Sequence, residues 1–149
     1  TDMASEGMVN VGQLLREQFA EDGVVALGFG SYKGSVVAAR SWGDETRKIR
    51  IPNAVEGSWE NDFHHAGKGE NRLLMMHKIR EEKCVSAPIG HRAIGVVYNP
   101  EHERFGNYVP SVMPKRYDAF IFLDETSALH PIHIEPEGNQ IPETYPFGM

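Results

Sequence analysis

The sequence predicts a mixed α/β fold, a mixed sheet with flanking helices, and three observations carry that reading. Apolar runs of strand character alternate with segments of helical spacing, and Gly and Pro punctuate them at short intervals. A content of 40% hydrophobic and 24% charged residues in 149 is the balance of one folded domain with a core.

Val11, Leu14, Leu15 and Phe19 stand at i, i+3, i+4 and i+8, the spacing of a helix with one buried stripe. Asn10 is placed to cap its start, and Gly23 to end it in a left-handed conformation. Val24 to Gly28 then reads as a buried strand between glycines. Ser35 to Arg40 and Lys48 to Ile51 read as two more, the second alternating with period two until Pro52 stops it.

Ser58 followed by Glu60 and Asp62 is a helix start, an acceptor at the cap with negative charge in the first turn. The helix is expected to run to about Ala66, where Gly67-Lys68-Gly69 breaks it. Arg72 to His77 reads as another buried run, and Arg80 to Ala87 as a surface loop. Arg92 to Tyr98 and Tyr117 to Leu123 are the strongest strand signals. Between them Asn99-Pro100 starts a turn, Glu101 to Arg104 reads as the exposed first turn of a short helix, and Pro110 and Pro114 keep any helix short. The domain is expected over residues 1–134, with an extended or disordered tail over 135–149. Strands this short need neighbours on both sides, so an open sheet edge and self-association through it are expected.

The net charge of -6 argues against nucleic acid as a partner, since neutralising phosphates needs a concentration of Lys and Arg. No apolar run approaches the roughly 20 residues of a membrane span, and no basic-plus-apolar leader opens the chain. With Cys84 as its one cysteine the chain forms no internal disulfide, and the cytoplasm is the simplest compartment.

Gly28-Phe29-Gly30-Ser31-Tyr32-Lys33-Gly34 has the spacing of a loop that brings backbone amides to a phosphate or to the adenosyl group of S-adenosylmethionine. Ser35-Val36-Val37 behind it has strand rather than helix character, which favours a glycine-rich turn between strands. Metal binding is not expected, because His64 and His65 point about 100° apart on a helix and His130 and His133 face opposite sides of an extended segment. No G-x-S-x-G elbow is present, and Cys84 has no activating neighbours. Asp118 and Asp124 flank a strand, where carboxylates cap turns or pair with cations. Asp124 has the better functional claim, since clefts in α/β sheets open at strand carboxyl ends. Arg104 and Tyr108, with Lys115-Arg116, form a polar group that binds substrate or braces the cleft.

The stretch from Gly90 to His133, together with Thr1 to Ala4, Met8 to Leu14 and Val24 to Gly34, resembles the erythromycin esterase family, hydrolases whose founding members open macrolide lactone rings. The resemblance covers most of the chain and implies the C-terminal half of an erythromycin esterase-like domain. It implies hydrolysis of a small-molecule ester or lactone by water that a histidine activates, with neither metal nor other cofactor. For some members it implies antibiotic resistance. In that family the catalytic histidines lie in the amino-terminal half and in a His-Asn-x-His segment just upstream of where this chain begins. The resemblance therefore assigns no catalytic residue here, and a truncated hydrolase without activity of its own is expected. It places Ser31, Tyr32 and Lys33 along the substrate cleft. The alternatives are an S-adenosylmethionine-dependent methyltransferase of the protein-isoaspartate type using Gly28 to Gly34, and a non-catalytic fragment.

Overall fold

One long strand organises the molecule, whose computed structural model describes residue 9 and residues 11–82 and 85–129. That strand, β1 (Leu27–Ala38), pairs parallel with β6 (Ala119–Thr126) along its first half and antiparallel with β2 (Arg47–Ile51) along its second. The edge strand β3 (Arg72–Met75) pairs antiparallel with β6, giving the order β2-β1-β6-β3. The sheet is mixed, as the sequence predicts. A separate ribbon joins β4 (Ile89–Arg92) to β5 (Tyr108–Ser111). The helices are α1 (Val11–Gln18), α2 (Trp59–Gly67) and the single turns α3 (Glu103–Gly106) and α4 (Met113–Arg116).

α2 forms where its signals place it. Ser58 Oγ accepts the Asn61 amide at 3.3 Å, and Glu60 and Asp62 occupy the first turn. Lys68 closes the other end in the left-handed region, φ 52°, with the Lys68 and Gly69 amides donating to the His65 and His64 carbonyls. This helix covers one sheet face, where Phe120 and Phe122 of β6 meet Tyr32, Trp59, Met76 and Met113. Complete burial of a side chain of this size contributes roughly 1.5–3 kcal/mol. Ala38, Ile49, Ile51 and Tyr98 extend the core along the same face.

The other face is bare among the described residues. Phe29 and Leu73, both in register with Ile121, are 61% and 63% exposed. The apolar stripe of α1 is also uncovered, which corrects the expectation of a buried one: no residue of α1 is buried. Its visible tie is Arg16, whose Nη2 donates at 2.7 Å to Asp118 Oδ2, the oxygen that also accepts the Ala26 amide at 2.8 Å.

Four further expectations are corrected. Gly28 to Gly34 is neither a phosphate loop nor a turn but the interior of β1, which takes in most of the Ser35 strand but starts only at Leu27, leaving Val24 to Ala26 outside any strand with Val25 81% exposed rather than buried. Gly28 and Gly30 lie under aromatic rings rather than in a bend. Of Arg92 to Tyr98 only Arg92 belongs to a strand, because the ribbon ends where Asn107, between α3 and β5, accepts the Ala93 amide at 2.7 Å. The chain instead crosses to the end of β1, making one bridge between Val97 and Ala39. In Arg72 to His77 only Met76 is buried, since β3 is an edge strand with one face open. Glu103 is buried rather than exposed, drawn inward by Arg92. Tyr117 to Leu123 is a strand, shifted to Ala119–Thr126. Asn10, Cys84, His130, His133 and the tail over 135–149 lie outside the described residues.

Candidate functional site

α2 puts Glu60 and His64 one turn apart on the side that meets the sheet, and each forms a carboxylate–imidazole pair. The two pairs differ in what remains available for chemistry.

Glu60 is 0% exposed, with Oε1 2.6 Å from His91 Nδ1, and both its oxygens accept the Arg92 amide at 3.2 Å. His91 Nε2 lies 3.5 Å from the Tyr117 hydroxyl, and its ring stands edge-on to Phe120. Next to it the Arg92 guanidinium donates to the carbonyls of Ser31 at 2.9 Å, Tyr32 at 2.8 Å and Pro52 at 3.1 Å, and pairs with Glu103. Glu103 also accepts the hydroxyls of Tyr98 at 2.8 Å and Tyr108 at 3.3 Å. Burial, then the hydrogen bond to Glu103, pushes the Tyr98 phenol far above the usual tyrosine range. Burial also pushes Tyr108 up to about 12, against the lowering effects of the Val55 amide and Arg92. This buried network ties the ribbon, β1 and α2 together, and its charges are satisfied within the protein.

The second pair is half open. His64 Nδ1 lies 2.5 Å from Asp124 Oδ1, and the two side chains are 25% and 15% exposed. The imidazole lies flat on the Tyr32 ring, centroids 3.7 Å apart and planes 7° from parallel. The Asp124 amide donates to Asn71 Oδ1 at 2.8 Å, which fixes the end of β6 under the histidine. A carboxylate at Asp124 only accepts, so Nδ1 is assigned as the donor to it, which leaves Nε2 as the nitrogen that can take up or give up a proton. Among the described residues no hydrogen bond reaches Nε2.

Side-chain alternation sorts the residues that the sequence singles out. Tyr32 and Asp124 share the α2 face with His64. Ser31 and Lys33 project from the opposite face, where Lys33 Nζ pairs with Glu125 at 3.3 Å. Tyr108 belongs to the Arg92 network. Arg104 is exposed, with no polar partner among the described residues. The sequence assigns no site role to His64, Glu60, His91, Arg92 or Glu103; the i, i+4 spacing of Glu60 and His64 on a legible helix is the signal it offers for two of them. His64 and His65 rings meet edge to face at 5.0 Å, and no three of His, Cys, Asp and Glu converge to hold a metal among the described residues. A cleft of about 630 Å³ between α1 and Lys115 to Tyr117 includes none of His64, Asp124 and Tyr32 in its lining and reaches the Glu60–His91 pair only through Tyr117, with Arg16 and Arg116 committed to Asp118 and Ser111.

Fold and site define a mixed α/β domain with a carboxylate–imidazole pair at the carboxyl end of its central parallel strands. The family model for erythromycin esterase matches residues 1–126, and the chain belongs to that family. Two crystal structures share the fold. A succinoglycan biosynthesis protein is 19% identical with a TM-score of 0.62, over 85% of this chain and 29% of that one. A protein from Bacillus cereus is 18% identical with a TM-score of 0.66, over 85% of this chain and 31% of that one. The chain thus spans less than a third of the length of either. Among the described residues no helix is long and apolar enough to cross a membrane.

Proposed function

We propose that this chain is the C-terminal part of an erythromycin esterase-like hydrolase that cleaves a small-molecule ester or lactone by histidine-assisted attack of water. The histidine that activates the water is supplied from outside this chain. The pair of His64 and Asp124 beside Tyr32 carries the reading, because it stands at the carboxyl end of parallel strands, where clefts in α/β sheets open. Tyr32 and Asp124 supply one wall of that cleft, while the Arg92 network with Tyr108 holds the wall in place. The placement of Ser31 and Lys33 on the opposite face removes them from the same wall.

The test compares the full-length protein that contains this chain with the isolated 149-residue polypeptide. Both are assayed on an alkyl ester, a p-nitrophenyl ester and a macrolide lactone, with addition of one water read by mass. Turnover is expected from the full-length protein alone. Turnover by the purified polypeptide would place the water-activating base within it, and inertness of the full-length protein toward all three would remove the hydrolase reading. With Gly28 to Gly34 inside β1, the methyltransferase alternative has no loop to stand on, and calorimetry with S-adenosylmethionine is expected to give no saturable heat.

A further inference from the structure

We infer that His64 is a proton-transfer residue, and that in the hydrolase it donates from Nε2 to the leaving oxygen, with Asp124 and Tyr32 as its positioning residues. The inference rests on the hydrolase reading for its substrate, and on geometry for the residue.

Three observations point to it. Asp124 holds Nδ1 at 2.5 Å, and the flat stack on Tyr32 at 3.7 Å leaves the ring no free rotation. The direction of Nε2 is therefore fixed by the fold. Second, Nε2 is unpartnered among the described residues although the side chain is only 25% exposed. Third, the same helix carries an internal contrast: Glu60 holds His91, whose 5% exposed side chain turns its other nitrogen toward Tyr117. That pair is enclosed by the core. A ring pinned through one nitrogen and open at the other is the arrangement that transfers protons, since the carboxylate sets orientation and offsets the charge of the protonated ring.

The step balances. The outside base takes a proton from water, and the resulting oxygen nucleophile attacks the carbonyl carbon. As the tetrahedral intermediate collapses, the C–O bond to the leaving group breaks and its electron pair stays on the alkoxide oxygen. His64 passes the Nε2 proton to that oxygen and is left neutral, with its remaining proton on Nδ1 toward Asp124. Solvent then returns a proton to Nε2 as the outside base releases its own. The products are one acid and one alcohol.

Leaving-group chemistry supplies the test. An alkoxide needs a proton as it departs, whereas p-nitrophenolate leaves without one. In the full-length protein His64→Gln is expected to lower kcat on an alkyl ester about 100-fold, with KM little changed, and to lower it less than about 5-fold on the p-nitrophenyl ester. Asp124→Asn is expected to show the same asymmetry at about a tenth of the size, and His65→Gln, beside it but without a carboxylate, no asymmetry. Equal losses on both esters, or a change confined to KM, would overturn the inference. If the wild-type protein cleaves neither ester, diethyl pyrocarbonate decides the residue separately. Carbethoxylation of His64 in the folded protein would keep its role as an open proton-transfer group while the hydrolase reading falls. Protection of His64 while exposed His65 reacts would overturn both.

Discussion

Gly30 lies beneath the ring of Phe120: a Cβ built on it would meet Phe120 Cζ at 2.7 Å and Glu60 Oε1 at 3.1 Å. Gly28 stands in the same relation, 2.6 Å from Phe120 Cδ2 and 2.9 Å from the Tyr117 ring. The glycines of this segment thus seat aromatic side chains against the backbone of β1. Gly34 differs, since its φ of 140° and the collision that a Cβ built there would make with the Thr126 carbonyl oxygen require the absence of a Cβ on both counts.

Gly30→Ala is therefore expected to destabilise the fold by about 1–3 kcal/mol, the usual cost of forcing a methyl into a packed core. Urea unfolding measures it, and Phe120→Leu in the same background should recover part of the loss. A nucleotide-binding glycine would behave differently, losing ligand with little change in midpoint. An unshifted midpoint for Gly30→Ala would contradict the seating role.

Arg92 and Glu103 supply the second prediction. Their side chains are 2% and 3% exposed, so removing one leaves an uncompensated charge inside the protein. Glu103→Ala is expected to cost about 3–5 kcal/mol in urea unfolding. Pairing it with Arg92→Met should return part of this by removing the uncompensated charge, the rest being lost because the Ser31, Tyr32 and Pro52 carbonyls are left without their donor. A double variant no more stable than Glu103→Ala would argue against this.

Local signals and long-range geometry explain what was legible. Ser58, Glu60, Asp62 and Gly67-Lys68-Gly69 act within one or two turns, so both ends of α2 could be read directly. Lys48 to Ile51 and the strand after Tyr117 carry their own periodicity or β-branched and aromatic content, and both are strands. Arg92 to Tyr98 has the same local character, yet strand formation needs a partner, and α3 intervenes before β5 can extend beyond Tyr108. The meeting of His64 with Asp124 spans 60 residues and depends on α2 crossing β6. No spacing within either segment encodes it. Asp124 is readable as a candidate from its place at a strand end and His64 from its spacing to Glu60 on α2, whereas their pairing is not.

Tyr98 and Tyr108 make stability sensitive to alkali. Both phenols are raised above the usual value near 10, Tyr108 to about 12, so the folded state keeps protons that the unfolded chain has released. Below pH 10 their contribution is fully present. As pH rises from about 10 toward 12 the unfolded state binds fewer protons, and stability must fall. Urea midpoints at pH 8, 10 and 11 should decline, and Tyr98→Phe with Tyr108→Phe should flatten the decline after an initial loss of hydrogen-bond stability. Identical slopes for variant and wild type would assign the effect to other groups.

The bare sheet face predicts how the isolated chain behaves. Leu27, Phe29 and Leu73 are 47%, 61% and 63% exposed on β1 and β3, the two strands that flank β6, and the outer edge of β3 has no strand partner among the described residues. An apolar surface of this kind next to an open edge drives association or needs a cover. The solved structures that share this fold are more than three times the length that this chain matches, 29% and 31% of them being covered. We therefore propose that further chain of the same protein is the cover. The isolated 149-residue polypeptide is expected to bind an apolar dye and to sediment as dimers or larger species. Phe29→Lys with Leu73→Lys should shift it toward monomer, while the full-length protein should bind little dye. A dye-silent monomer from the isolated polypeptide would mean that this face needs no cover, and that the exposure of Phe29 and Leu73 is tolerated in solution.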